Sequence, residues 1–166
     1  MSKRIKLSKG RYAIVDDEDY EWLSKHKWNC GALRYAVRTL PRLKDKKMVY
    51  MHREVNKTPE GMDTDHINGD TLDNRKVNLR TCTRSENMMN SGLRSDNSSG
   101  FKGVSWNKRA KKWVAYIRSS PGNRVYLGLH DDVDDAVRAY NEAVIKYHGE
   151  FAYQNEIHGA SAVFDG

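Results

Sequence analysis

The sequence predicts an α+β protein built from two small domains. Short runs of strand character occur in both halves of the chain, and each half closes on a helix. A stretch of small polar residues and glycine, residues 90–100, separates them and reads as a linker. A chain of 166 residues has room for one or two such domains.

In the first half, residues 11–15 read as a short strand. Residues 16–25 read as a helix with acidic residues in its first turn, where the helix dipole favours them. Residues 35–39 and 47–51 look like further short strands. Asn68-Gly69 favours a tight turn with positive φ. Thr83, with Glu86 three residues later, spells a capping box and puts Asn87 on the first turns of a helix. From residue 62 the order is therefore strand, turn, strand, helix. In the second half, residues 101–106, 112–118 and 124–129 have strand character, and Pro121-Gly122-Asn123 signals a turn between the last two. The period then changes. Val133, Ala136, Val137, Tyr140, Ala143, Val144 and Tyr147 recur at helical spacing, Asp131 or Asp132 can cap that helix, and Gly149 can end it. The division expected is 1–92, a linker at 93–100, a second domain at 101–155 and a tail at 156–166.

The charge is segregated. Lys and Arg total 29 against 22 Asp and Glu, a net charge of +7. Residues 94–130 carry eight basic residues and one acidic, whereas residues 131–150 carry two basic and six acidic. A basic balance points to polyanions, foremost nucleic acid. The two cysteines, Cys30 and Cys82, form no Cys-x-x-Cys pair, which argues against a structural zinc and a disulfide framework. No apolar run approaches a membrane span, and the N-terminus lacks the apolar core of a signal peptide. A soluble intracellular protein with no membrane partner is expected.

The chemistry lies in the first half. Phosphodiester hydrolysis needs a deprotonated water, and positive charge to meet the leaving oxygen. The imidazole of His66 suits the first task near pH 7. Asp65 offers carboxylate oxygens and Asn87 an amide oxygen to a hard divalent ion. So few protein ligands suit magnesium, which keeps most of its water. Four histidines, His26, His130, His148 and His158, have no partners visible in the sequence and read as ordinary polar residues.

The segments Met51-His52-Arg53, Asp65-His66-Ile67-Asn68-Gly69, Asp73-Asn74, Asn78-Leu79-Arg80 and Ser85-x-Asn87 resemble the HNH (ββα-metal) endonucleases, over about residues 49–90. They look most like the phage and intron-encoded homing subgroup, whose last metal ligand is Asn rather than His. The resemblance implies His66 as general base, and Asp65 and Asn87 as ligands of one Mg2+ or Mn2+ ion. It implies Asn78 as the middle Asn that holds the loop and the His by side-chain hydrogen bonds. His52-Arg53 suit either the scissile phosphate or internal packing. The final His and the zinc-ribbon cysteines of better-known members are absent. A bacteriophage origin and a bacterial host cytoplasm follow from the resemblance.

In the second half, Lys102, Lys108, Lys112, Arg118 and Arg124 combine with Trp106 and Tyr126 on predicted strands. A three-stranded sheet can enter the major groove, where Arg bonds a guanine edge at two points. Phe101-Lys102-Gly103-Val104, residues 113–118, Arg124-Val125-Tyr126-Leu127-Gly128 and residues 135–140 resemble the Apetala/ethylene-response-factor DNA-binding domain, over about residues 95–155. The resemblance implies DNA contacts by Lys102, Tyr116, Arg118, Arg124 and Tyr126, with Trp106 and Lys108 beside them. Ser105 stands where the plant factors have Arg after Gly-Val, so the recognised sequence should differ from theirs.

The expected function is a metal-dependent, site-preferring DNA endonuclease acting on double-stranded DNA. One rival is a DNA-binding regulator with a degenerate nuclease domain, and another is an RNA-binding accessory protein. Monomer and homodimer both remain open.

Overall fold

The computed structural model describes residues 1–40, 47–120 and 122–157. Pro121 of the expected turn, His158 and all of the expected tail except Glu156 and Ile157 lie outside the described residues. The fold is mixed α+β, with small antiparallel sheets and few helices, and the chain divides into two compact units between Asn87 and Met88.

The first unit opens on a hairpin, β1 (Ser2–Lys6) paired antiparallel with β2 (Tyr12–Asp16). β1 was not expected, because its Lys3, Arg4 and Lys6 mask the alternation. Only Ile5 of this strand is buried. α1 (Asp17–Ser24) carries Asp17, Glu18 and Asp19 in its first turn. A three-stranded antiparallel sheet follows, in the order β3 (Asn29–Cys30), β4 (Ala36–Leu40), β5 (Lys47–Tyr50). Met51, expected to end a strand, instead opens a helix, α2 (Met51–Asn56). Its buried residues Met51, His52 and Val55 follow helical spacing, and Lys57 closes it with a left-handed φ of 50°. Ile5, Leu7, Ala13, Val15, Leu23, Trp28, Met51, Val55 and Leu79 form the core. Full burial of a side chain such as Leu23 contributes about 1.5–3 kcal/mol. β6 (Asp63–His66) and β7 (Leu79–Cys82) pair antiparallel with Asp65 opposite Arg80 and His66 opposite Leu79. Between them Gly69 takes φ 74° in the expected turn. α3 (Arg84–Asn90) follows, and its capping box forms. The Thr83 N–H donates to Glu86 Oε2 at 2.7 Å and the Glu86 N–H to Thr83 Oγ1 at 3.3 Å.

The second unit is a sheet in the order β10 (Asn123–His130), β9 (Lys112–Ser120), β8 (Val104–Asn107), with α4 (Val133–His148) packed against it. Ala136, Val137, Tyr140, Ala143 and Val144 of α4 bury against Val104, Ala115 and Ile117. Asp132 caps α4 by accepting from the Asp134 N–H at 2.7 Å. β8 starts at Val104 rather than at residue 101, because Gly103 takes φ 74°, outside the strand region. Residues 97–101, within and just after the expected linker, close into a turn. Asn97 Nδ2 donates to the Phe101 carbonyl at 2.9 Å and Ser99 Oγ to the Val104 carbonyl at 2.7 Å. Asn155 is tied back. Its Oδ1 accepts from the Lys102 N–H at 2.7 Å, and its Nδ2 donates to the Lys102 carbonyl at 2.9 Å. Among the described residues no helix is long and apolar enough to cross a membrane.

Candidate functional site

The β6–β7 hairpin and α3 bring the predicted chemistry into one region of the first unit. Asp65 and His66 are adjacent on β6, and both are buried. A buried carboxylate needs partners, since an isolated one costs far more than its contacts return. Asp65 has one directly across the ladder, where Arg80 Nε and Nη2 both donate to Asp65 Oδ2, at 2.8 and 2.6 Å. Asn87, on α3, donates from Nδ2 to Asp63 Oδ2 at 3.2 Å. Asp63 and Asp65, two apart on a strand, share one face. Sequence reasoning passed over Asp63, although that spacing was its signal.

His66 Nε2 faces Asn74 Oδ1 at 3.4 Å. Burial, opposed by the Asn74 bond and the nearby Asp65, holds this imidazole below its ordinary range. It is therefore neutral near pH 7, as a base must be. His52 packs edge-on to it with ring centroids 5.2 Å apart, and Tyr35 lies 5.9 Å from it. His52 is buried, and Arg53 donates to the carbonyls of Met62 and Pro59 at 2.7 and 3.1 Å. Both serve packing. Asn78 is committed to the loop. Its Oδ1 accepts from the Asn68 N–H at 3.0 Å, and its Nδ2 donates to the Asp73 carbonyl at 2.8 Å. The imidazole partner expected of Asn78 is Asn74 instead, because the chain between Leu72 and Asn74 runs back alongside β2.

The donor chemistry fits a hard divalent cation. Asp65 supplies a carboxylate. Asn87, its Nδ2 engaged by Asp63, presents the amide oxygen as its acceptor. An ionised carboxylate offers about four lone-pair directions, so the Arg80 contacts alone do not exhaust Asp65. Among the described residues no three His, Cys, Asp or Glu side chains converge as a metal site. Any ion here would take most of its ligands from water and substrate.

In the second unit, the register sorts the predicted DNA contacts by face. Arg124 pairs with Arg118 and Tyr126 with Tyr116 across β10 and β9. Ala115 and Ile117 face α4, so these four share the opposite face. The Arg124 guanidinium sits 3.7 Å over the Tyr116 ring, and the Tyr116 and Tyr126 rings lie 5.4 Å apart, tilted by 55°. Lys108 is exposed in the β8–β9 turn. Two residues leave this group. Trp106 pairs directly with Trp113, with rings 5.3 Å apart, and strand alternation puts it on the same side of the sheet as Val104 and Trp113, where it stays 46% exposed. Lys102 precedes β8, and its Nζ donates to the carbonyls of Met89 and Ser91 at 2.7 and 2.5 Å. Burial pushes its pKa down to about 8.

A family model described as HNH endonuclease matches residues 51–89. An uncharacterized HNH endonuclease of Acanthamoeba polyphaga mimivirus is 28% identical over 152 residues, covering 90% of this chain and 77% of that protein. Protein 3.8 of Escherichia phage T7 is 40% identical over 94 residues, covering 57% of this chain and 76% of its own length. APETALA2-like protein 2 of Oryza sativa subsp. indica is 40% identical over 52 residues, 31% of this chain but 12% of the rice protein. No solved structure matches. The matched span of the family model holds β6, β7 and the buried Asp65–His66 pair, and with the phage and mimivirus relatives it establishes that the chain belongs to the HNH endonuclease family.

Proposed function

We propose that the chain is a metal-dependent DNA endonuclease of the homing type, in which His66 is the general base. The observation that carries this reading is a buried imidazole next to the Asp65 carboxylate on one strand. His66 takes a proton from the attacking water. Asp65 and Asn87 hold one ion, magnesium or manganese. When bound, that ion stabilises the charge developing on the leaving oxygen. Asn78 shapes the loop that carries His66. The products carry 5′-phosphate and 3′-hydroxyl ends.

Residues 1–92 act as the nuclease domain and residues 101–155 as a DNA-binding domain that selects a preferred site on duplex DNA. Tyr116, Arg118, Arg124 and Tyr126 form its reading face, with Lys108 beside it. The short rice match and the shared sheet face support this assignment. Arg118 and Arg124 lie directly opposite each other, an arrangement that repels in the free protein and is relieved by an anion.

One feature favours the rival, a DNA-binding regulator that does not cut: the Arg80 guanidinium already occupies Asp65 Oδ2. The same experiment decides between them. Supercoiled plasmid is incubated with the protein in magnesium, manganese or EDTA, beside His66→Ala, with gel retardation on the same DNA. Metal-dependent nicking that His66→Ala loses, with binding spared, is the expected outcome. Equal cutting by the variant would remove His66 as the base. Binding without cutting would favour the regulator.

A further inference from the structure

We infer that Asn74 is the positioning residue for His66, holding the imidazole in the tautomer that carries its hydrogen on Nε2 and its lone pair on Nδ1. This rests on the reading of His66 as the base.

The amide orientation is settled by its other bond. Asn74 Nδ2 donates to the Leu72 carbonyl at 3.1 Å, a contact that only the NH2 end can make. Oδ1 is therefore the end that faces His66 Nε2 at 3.4 Å. An amide oxygen accepts and never donates, so the hydrogen belongs to Nε2. A base in the other tautomer would present an N–H to the water instead of a lone pair.

Asn74 can do this because it is buried and bonded through its backbone and both ends of its amide. It has no exposed surface. Its N–H donates to the Ile14 carbonyl at 2.8 Å, and the Ile14 N–H donates to the Leu72 carbonyl at 2.8 Å. Ile14 and Asp73 form a parallel bridge, and Ile14 pairs with Arg4 inside the β1–β2 hairpin. Asp73 is clamped by Arg75 Nε and Nη2 at 2.7 and 2.6 Å. The N-terminal hairpin thus braces the residue that orients His66, although it supplies no side chain of its own to the chemistry. Asn78 has a separate task, since both ends of its amide bond the loop backbone.

The test reads the tautomer directly. Long-range 1H–15N correlation spectra of the full chain at neutral pH, without nucleic acid or metal, should show His66 with a slowly exchanging proton on Nε2. A proton on Nδ1 would overturn the proposal with no variant needed. Asn74→Leu removes the acceptor. It should give a mixed tautomer and lower the nicking rate roughly 10²-fold or more, within the usual worth of a general base. Asn74→Asp keeps an acceptor and should retain the Nε2 proton. An Asn74→Leu protein that keeps the wild-type tautomer and rate would also overturn the proposal. Circular dichroism checks that the variants fold, and the wild-type spectrum decides if they do not. If His66→Ala cuts like wild type, the base reading fails while the tautomer result stands, so the two failures are separate.

Discussion

His52 shows how far a residue can travel from its sequence-level description. As an imidazole beside Arg53 it suited either the scissile phosphate or strand-to-helix packing. In the structure it is ringed by Tyr35 at 4.9 Å, Tyr50 at 5.5 Å and His66 at 5.2 Å, and its Nδ1 is buried without a partner among the described residues. Burial first, and the His66 and Arg53 charges second, push its pKa down to about 3. In the unfolded chain it returns to an ordinary imidazole value near 6.5. Between those values the unfolded state binds a proton that the folded state refuses, so stability falls as pH falls through that window. Going from pH 7 to pH 5 should cost about 2 kcal/mol through this residue alone. Denaturation midpoints of wild type and His52→Phe at the two pH values test this. The variant should lose less stability on acidification, and an identical loss in both proteins would clear His52.

Elements whose signals are local follow the sequence closely. The Thr83–Glu86 capping box needs only four residues, and both of its bonds form. α4 spans the expected period, capped by Asp132 and closed by Gly149 at φ 54°. Where elements differ, a residue outside the element decided it. β8 lost its first residues to Gly103. That glycine has φ 74°, and a Cβ there would collide with the Tyr140 ring of α4 and the Tyr116 carbonyl of β9. Its own carbonyl accepts from the Tyr116 N–H at 2.8 Å. Gly103→Ala should therefore destabilise the chain by about 2–4 kcal/mol, combining a left-handed backbone penalty with overpacking. Thermal unfolding checks this, and a change under 1 kcal/mol would mean that the sheet and α4 part easily.

At the scale of the whole molecule, charge and register together support the roles proposed for the two units. The basic excess of residues 94–130 is visible in the sequence, but its arrangement is not. Only the pairing of Arg118 with Arg124 and of Tyr116 with Tyr126 gathers four of the predicted contacts on one face. Arg118→Ala should weaken preference for the target over random duplex, by about 1–3 kcal/mol if it reads a base edge. Competition binding between target and random duplexes measures this. Equal weakening on both, with a shallower salt dependence, would make Arg118 a phosphate contact instead. By itself the sequence determined the α+β class, the turn at Asn68-Gly69, the caps, the amphipathic α4 and the Asp65–His66 pair, because each rests on residues within a few positions of one another. The tertiary structure alone decided that Asn74 meets His66, that Arg80 meets Asp65, that Lys102 holds backbone carbonyls and that Trp106 shares a side of the sheet with Trp113. Those contacts depend on the register between strands and on how segments distant in sequence pack, which local periodicity does not encode.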